Sequence, residues 1–475
     1  MIIGSFLFFL LLFLAIGIFS TFKSTGSNKD YLLASSNVKP WLAGLSAIAT
    51  SNSGFMFVGM IGYTYFYGLS SFWLMFGYIF GDYLASIFTH KKLRIMTEKS
   101  GSLSFAGVLS KWHQTNFTKL RFVIGLITLL FLGSYAAAQF QAGSKALHVL
   151  FGWDYNVGAV LGAGMVFLYC LAGGIRASIW TDIAQSFVML CAMLVLCFQG
   201  IYRIGGFEAL WLNMQAVNPD YVKLFPQDLI IPSAPGYLLF VIGWIFGGIG
   251  IAGQPHILVR FMVVDTPANV NRARAYYYIW YIVFFFLTVI VGFVSRILLP
   301  VKEQFDPELA LPELSTHMLP ELFVGLVLAG LFAATMSTAD SQIISCSAAL
   351  TRDIFPRRKE NIIFTKLSTL VVTLVALTIA VFSIKSVFVL AVIAWSALGS
   401  AIGPLFLLYT MNRKVSERTA IIMLLGGLAT SLLWRYFGLS KQLLELAPGM
   451  SMGFIIYFIS TYLEKDRDAF SSEQA

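Results

Sequence analysis

Long apolar runs, separated by short polar stretches, follow one another along almost the whole chain. A helix that crosses a bilayer needs about 20 such residues, whereas the strands of an outer-membrane barrel alternate over only about 10. The pattern therefore predicts thirteen membrane-spanning helices, numbered here as spans one to thirteen. They cover residues 2–20, 41–64, 68–89, 121–149, 156–174, 181–203, 237–257, 277–299, 321–345, 363–384, 387–409, 419–436 and 448–463.

Spans two and seven each contain an interruption. Residues 46–54 of span two read SAIATSNSG, and residues 243–253 of span seven hold five glycines before Pro255. Gly and Pro weaken helices, and backbone groups freed at membrane depth need protein or a cavity around them. Broken helices at matching positions of two halves indicate a transporter site. The alternative is close helix packing through small residues.

The spacing of the two broken spans predicts internal repeats. Because they are five spans apart, residues 41–203 and 237–409 would form two five-helix repeats, the second inverted, with 1–40 and 410–475 as peripheral helices and tails. Composition agrees with a single membrane domain. Only 12% of the 475 residues are charged, against roughly 25% in soluble domains, and mean hydropathy is +0.79.

The net charge of +9 changes meaning in such a protein. With the N-terminus outside, 23 Lys and Arg fall on the inner side and 8 on the outer side. The positive-inside rule then predicts an outside N-terminus and a cytoplasmic C-terminus in the plasma (inner) membrane. The basic excess thus indicates orientation rather than a nucleic-acid partner.

Three aspartates lie within apolar spans, where ionisable groups are expensive and usually functional. Asp82 is deep in span three, Asp182 opens span six, and Asp340 lies in span nine. The structural alternatives are a helix N-cap for Asp182 and buried hydrogen-bonded pairs for the other two.

Span nine has the densest polar pattern. Ser337, Asp340 and Ser341 share one helical face, with Thr338 beside them. Such oxygen ligands suit a small hard cation such as Na⁺, and an unwound span two would add backbone carbonyls. Alternatively, the hydroxyls bond back to the preceding turn.

Span seven carries a more specific sign. Residues 253–262 read GQPHILVRFM, and Trp180-Thr181-Asp182 precedes span six. With these motifs the chain resembles the sodium/solute symporter family, and within it most closely the sodium/proline symporter branch. The resemblance implies a LeuT-like 5+5 inverted repeat with additional helices. It also implies a secondary transporter rather than an enzyme, with Na⁺ as the coupling ion and no other cofactor. We expect it to act as a monomer in the lipid bilayer.

The resemblance also implies site residues. The sodium site would use the carbonyls of Ala49, Asn52 and Ala334 and the hydroxyls of Ser337 and Thr338. Asp182, Asp340 and Ser341 resemble a second cation site found in some members. The substrate site, between spans two and seven, would use Phe55, Asp82, Tyr135, Gly247, Gly248 and Gln254.

The chain departs from the proline branch at several of these positions. It has Ser51 where the branch has Asp, Phe55 where it has Trp, and Asp82 where it has a small residue. We expect a small organic solute, proline or another amino acid, whose amine pairs with Asp82. The alternatives are sodium symport of a sialic acid, sugar or monocarboxylate, and a non-transporting membrane sensor with the same fold.

Overall fold

The chain folds into a bundle of α-helices joined by short turns. The computed structural model describes residues 1–299, 305–356, 361–382 and 386–473, with side chains to residue 463. The helices are α1 (Ile2–Phe19), α2 (Asn28–Leu33), α3 (Pro40–Ser51), α4 (Ile61–Tyr67), α5 (Ser71–Ser100), α6 (Phe105–Ser110), α7 (Thr118–Phe151), α8 (Tyr155–Ile204), α9 (Phe207–Val217), α10 (Ala234–Ile249), α11 (Pro255–Met262), α12 (Val270–Leu298), α13 (Ala310–Met318), α14 (Glu321–Ala348), α15 (Ile362–Phe382), α16 (Val387–Thr410), α17 (Glu417–Tyr436) and α18 (Leu446–Glu473). Across these ranges no strand forms, and one isolated bridge joins Val38 and Val264.

Eleven helical segments of the described chain are long and apolar enough to cross a membrane. Two of them are far longer than one crossing requires: residues 55–100 and 155–204 have 46 and 50 residues. At about 1.5 Å per residue, 50 residues would reach about 75 Å, more than twice the roughly 30 Å of a hydrocarbon core. Both segments are bent by a glycine with positive φ, Gly68 in the first and Gly174 in the second. By length and composition, eleven segments of the described chain could each cross a membrane. Thirteen crossings therefore remain a prediction, in which each of the two long segments would cross twice, or more short helices would cross.

Gly174 replaces the loop that the sequence pattern places between spans five and six. Its φ of 56° and ψ of −139° interrupt α8, and helix resumes at once. An added Cβ would lie 2.4 Å from the carbonyl oxygen of Tyr31, so the close approach of α2 also requires glycine here. Arg176, two residues later, binds Asp30 of α2. Asp182 therefore lies inside a helix and is not an N-cap.

The interruption predicted in span two is present. Helix α3 stops at Ser51, and Asn52 has a non-helical φ of −78° and ψ of 60°. A π-helical turn, Phe55–Met60, then leads into α4. Backbone carbonyls near the end of α3 are thus free of the regular helical ladder.

The interruption in span seven is also present. Helix α10 ends at Ile249, a 3₁₀ turn covers Gly250–Gly253, and Pro255 starts α11. At Gly253 an added Cβ would lie 2.4 Å from the carbonyl oxygen of Leu398, so the break packs directly on α16. Helix α14 runs through the middle of the bundle and packs against α7 and α8, while α3 packs against α8 and α12. The two breaks and α14 therefore surround the protein centre.

Candidate sodium and substrate sites

The end of α3 brings backbone carbonyls against hydroxyl groups of α14. Ser337 Oγ lies 2.9 Å from the carbonyl oxygen of Ala49 and 3.1 Å from that of Ala334. Thr338 Oγ1 lies 2.8 Å from the carbonyl oxygen of Thr50 and 3.1 Å from that of Ala334. All of these residues are buried. Four of the five residues predicted as sodium ligands therefore lie together.

Asn52, the fifth, lies at the break itself. Its side-chain amide is fully buried, and neither amide atom has a hydrogen-bond partner in the described part of the chain. An unpaired buried amide costs about 1–3 kcal/mol, so a bound cation would relieve its oxygen. Neutral hydroxyl, carbonyl and amide oxygens suit an alkali cation. Within the described residues, no group of three or more His, Cys, Asp and Glu could hold a metal ion.

Arg260 of α11 lies between the two aspartates predicted as a second cation site. Its Nη2 is 3.2 Å from Asp182 Oδ2 and 3.8 Å from Asp340 Oδ1, and all three side chains are fully buried. Nη2 also donates to Ser341 Oγ, which lies 2.8 Å from Asp340 Oδ1, and Ser46 Oγ donates to Asp182 Oδ2 at 2.6 Å. The positive charge at this position thus comes from the chain itself.

The guanidinium balances only one of the two carboxylates. If both aspartates are ionised, the cluster keeps one negative charge, and Asp182 Oδ1 and Asp340 Oδ2 have no hydrogen-bond partner among the described residues. Buried charges are usually paired. A second cation at these residues remains a prediction, and it would have to bind beside Arg260.

A small central cavity of about 20 Å³ lies beside the break in span two. It is lined by Ser51, Phe55, Met56, Tyr78, Tyr135, Tyr281, Phe285, Ala391, Val392 and Trp395. Of the predicted substrate residues, Phe55 and Tyr135 line it. A volume of this size holds about one water molecule. The cavity is therefore too small for an amino acid in this conformation.

The glycines and Gln254 of span seven lie outside the lining of this cavity. At Gly248 an added Cβ would lie 2.3 Å from the carbonyl oxygen of Tyr78, so this glycine allows α10 to cross α5. The carbonyl of Gly247 accepts the indole N–H of Trp395 at 2.8 Å. Gln254 donates to the carbonyl of Trp395 at 3.0 Å. Gly247 and Gln254 thus each contact Trp395, which lines the cavity.

Asp82 also stands behind the cavity rather than in its wall. Its two carboxylate oxygens accept hydrogen bonds from Tyr277 and Tyr278 of α12, both at 2.7 Å. The hydroxyl of Tyr277 is also 3.4 Å from Ser51 Oγ, and Ser51 does line the cavity. Asp82 thus reaches the cavity through one hydroxyl group.

A second, wide cavity of about 960 Å³ lies on the other side of an aromatic layer. Phe388 lines the wide cavity and Phe55 the central one, and their rings stack with centroids 5.2 Å apart. Tyr63 stacks on the other side of Phe388 at 5.6 Å. These three rings, which we call the aromatic layer, separate the two cavities.

An ion cluster at the wide cavity holds α16 next to this layer. Lys145 of α7 contacts Asp306 at 2.9 Å and Glu308 at 2.6 Å. The Glu308 carboxylate also accepts the backbone N–H groups of Val387 and Phe388, at 3.2 and 3.0 Å. One carboxylate therefore connects α7 with the first turn of α16.

Sequence reasoning missed Arg260, Tyr277 and Trp395 as parts of these sites. Arg260 belongs to the GQPHILVRFM stretch, so the motif that indicated the family contained it. Residues 276–278 are three consecutive tyrosines, a run that could have drawn attention to α12. Trp395 lies in an ordinary apolar span, and nothing in the sequence around it indicated a role in the substrate site.

Comparisons with known proteins show the family of the chain. The family model of the sodium:solute symporter family matches residues 31–427. The chain is 28% identical to the high-affinity proline transporter PutP of Bacillus subtilis, over 97% of this chain and 98% of that protein. It is also 28% identical to a sodium/proline symporter of Staphylococcus aureus, over 97% and 92% of the two chains.

Solved structures share the fold. A substrate-bound Na⁺-coupled sialic acid symporter in an outward-open state superposes with a TM-score of 0.81, at 20% identity and 97% coverage of both chains. The nucleobase-cation-symport transporter Mhp1 superposes with a TM-score of 0.57, at 14% identity, over 89% of this chain and 92% of that one. These neighbours confirm the predicted LeuT-like helical fold. From its motifs, its fold and the match over residues 31–427, the chain belongs to the sodium:solute symporter family of secondary transporters.

Proposed function

We propose that the protein imports a small amino acid, most simply L-proline, together with Na⁺. The observation that carries this proposal is the meeting of the Ser337 and Thr338 hydroxyls with carbonyls at the end of α3. Two relatives named as proline transporters, each 28% identical over 97% of this chain, support the choice of substrate. Sodium would bind at Ala49, Asn52, Ala334, Ser337 and Thr338.

The central cavity favours a compact, partly apolar solute. Its walls are aromatic rings and aliphatic groups with a few hydroxyls. A sugar acid would need many more hydrogen-bonding partners, because a buried polar group without one is costly. Phe55, where the proline branch has Trp, leaves space for a ring slightly larger than that of proline.

Sodium would couple to transport through the contact between α3 and α14. An ion held by both helices stabilises the state in which they touch, and an ion with equal affinity for every state would shift nothing. The membrane potential adds about 2.3 kcal/mol per charge per 100 mV. With the N-terminus outside, the wide cavity near Lys145 would face the exterior.

The orientation and repeat boundaries are part of the same proposal. Residues 41–203 and 237–409 would be the two inverted repeats. Of the basic residues behind the orientation, Lys302, Lys385, Arg357, Arg358 and Lys359 lie outside the described residues. Cysteine labelling of each terminus from either side of the membrane would test the predicted sidedness.

The test of function is uptake by the purified protein in sealed liposomes. An inward Na⁺ gradient should drive accumulation of radiolabelled L-proline above equilibrium, and dissipating the gradient with an ionophore should abolish it. Competition by amino acids, sialic acids, sugars and monocarboxylates would rank the substrates. Saturable ligand binding without any flux would instead favour the membrane sensor.

A further inference from the structure

Asp82 is a buried carboxylate without a cationic partner. Its side chain is about 1% exposed, and within the described residues no Lys, Arg or His forms an ion pair with it. The charge of Arg274, a turn from the two tyrosines, acts on Asp82 without direct contact, because its guanidinium donates to Ser86 at 3.0 Å and stacks over Tyr83. An aspartate at the centre of a membrane helix costs about 2.5–3.5 kcal/mol, so an unpaired one calls for a physical reason.

The two tyrosines around Asp82 can serve either charge state. A tyrosine hydroxyl donates to a carboxylate and can also accept from a protonated carboxyl group. The 2.7 Å distances suit donation to the ionised form. When Asp82 carries a proton, one tyrosine must accept it and turn its own hydrogen elsewhere.

Tyr277 has an acceptor for that hydrogen at the central cavity. Its hydroxyl is 2.7 Å from Asp82 Oδ2 and 3.4 Å from Ser51 Oγ. Tyr278 leads the other way, because its second partner is Ser86, which already accepts from Arg274. Of the two hydrogen bonds that Asp82 accepts among the described residues, the one from Tyr277 therefore leads to a residue that lines the cavity, Ser51.

We propose that Asp82 is a proton-binding site whose charge state sets the polarity of Ser51 in the substrate cavity. With Asp82 ionised, Tyr277 donates to it, and Ser51 can donate to the oxygen of Tyr277 and turn a lone pair toward the cavity. With Asp82 protonated, its O–H donates to Tyr277, Tyr277 donates to Ser51, and the Ser51 hydrogen points into the cavity. The proton comes from water, and no covalent bond other than O–H changes.

This inference rests on the proposed amino-acid substrate. The substrate amine, predicted from the sequence to pair directly with Asp82, would instead contact Ser51 and sense Asp82 through Tyr277. The ionised state offers Ser51 as an acceptor for an ammonium group and places a negative charge behind it. The protonated state withdraws both. Asp82 and Tyr277 thus act as positioning residues for the substrate amine.

The charged and titratable groups around Asp82 come from several elements. Those that interact with Asp82 are Arg274, Tyr277, Tyr278 and Tyr281 on α12. Further titratable or charged groups on α5 and on α11, which packs against α5, are Tyr78, Tyr83, His90, His256 and Arg260. His90 stacks on Phe261 at 3.8 Å, and Arg260 is bound to Asp182. None of these described groups other than the two tyrosines hydrogen-bonds with the Asp82 carboxylate.

Infrared difference spectroscopy of the purified protein tests proton binding without any substrate. Acidification should produce a carboxylic C=O band that is absent from Asp82→Asn. Tyr277→Phe and Tyr278→Phe should each shift this band, because each removes a hydrogen bond to the same carboxyl group. A titrating band of unchanged amplitude in Asp82→Asn would overturn the proposal.

Titration calorimetry of L-proline binding at a fixed, saturating NaCl concentration tests the connection between Asp82 and the central cavity. Acidification should weaken binding to the native protein by about tenfold, the effect of losing one charge-linked hydrogen bond. Tyr277→Phe and Ser51→Ala should bind weakly at every pH, whereas the matched variant Tyr278→Phe should keep the pH response.

Equal loss of the pH response in Tyr277→Phe and Tyr278→Phe would overturn the relay, as would a native-like response in Tyr277→Phe. If Asp82→Asn does not fold, the comparison of the two tyrosine variants decides. Absence of L-proline binding at all pH values, with the Asp82 band present, would refute the proline assignment and leave the proton site standing.

Discussion

The hydroxyls of Ser337 and Thr338 are worth testing one at a time, because both face the end of α3. We expect Ser337→Ala and Thr338→Val each to raise the half-saturating Na⁺ concentration of uptake by about tenfold or more. The reason is the loss of one oxygen ligand, roughly 1.5–3 kcal/mol for a partner of a charged group. Sodium titration of uptake in liposomes measures this.

Thr335 is the matched control on the same helix. Its hydroxyl bonds back to the carbonyl of Phe332 at 2.9 Å rather than to α3. Thr335→Val should therefore leave the sodium requirement unchanged. An unaltered sodium requirement in both Ser337→Ala and Thr338→Val would place the coupling ion elsewhere.

Arg260 makes a different prediction, about stability. Removing it strands two buried carboxylates, which costs about 3–5 kcal/mol for a broken buried pair. We expect Arg260→Met to lower the melting temperature of the detergent-solubilised protein strongly. Adding Asp182→Asn should recover part of the loss, because one uncompensated charge disappears.

A double variant that melts no higher than Arg260→Met would contradict this coupling. Together with the native protein and the single variant Asp182→Asn, these two variants form a double-mutant cycle. The cycle separates the interaction energy between Arg260 and Asp182 from the effects of the two single substitutions. A parallel cycle with Asp340→Asn would show which of the two aspartates depends more on the guanidinium.

At the scale of single residues, the sequence predicted which polar residues belong to the sites better than it predicted which residues they contact. The aspartates and the span-nine hydroxyls stood out because polar groups are rare in apolar spans. Their partners did not stand out, since pairing Arg260 with Asp182 joins residues 78 positions apart. The placement of Asp82 behind Tyr277 depends on how α5 and α12 pack, which no local pattern encodes.

At the scale of elements, adjacent glycines of α10 provide a test of packing. An added Cβ at Gly248 would lie 2.3 Å from a backbone oxygen of α5, whereas at Gly247 it would meet the end of the Leu444 side chain at 3.1 Å. Overpacking typically costs about 1–3 kcal/mol. We expect Gly248→Ala to lower thermal stability clearly and Gly247→Ala to lower it little, as measured by melting in detergent.

The reverse order, with Gly247→Ala the more damaging, would mean that α10 does not cross α5 as described. The result also bears on function. If α10 needs Gly248 to cross α5, part of the glycine content of span seven serves close helix packing, which was the alternative to a transporter site. The glycines at Gly250–Gly253 instead form the break in the helix.

Element breaks were predictable where the chain concentrates Gly, Pro or small polar residues, as in spans two and seven. The kink at Gly174 was not predictable in the same way. The pair Gly173-Gly174 lies at the end of an apolar stretch that looks like ordinary helix, and the sequence pattern places a loop after it. Tertiary contact with Tyr31 fixes the backbone there, so the cause lies outside the segment.

At the scale of the whole molecule, the two cavities are unequal and closed from each other. The central cavity of about 20 Å³ and the wide cavity of about 960 Å³ meet at the aromatic layer. Passage between them requires Phe388, at the start of α16, to leave Phe55. The Glu308 carboxylate holds that first turn, so it stabilises the closed arrangement.

Breaking this hold should therefore open the central cavity toward the wide one. We expect Glu308→Gln to speed labelling of an Ala391→Cys reporter, which lines the central cavity, by a membrane-impermeant thiol reagent added outside intact cells. The reporter is placed in a Cys191→Ser background, because Cys191 is exposed.

Asp306→Asn is the matched control, since it loses a contact with Lys145 but leaves the bonds between Glu308 and α16. Faster labelling in Glu308→Gln alone supports a gate at α16, and equal rates in both variants and the parent would show that Glu308 does not hold the layer closed.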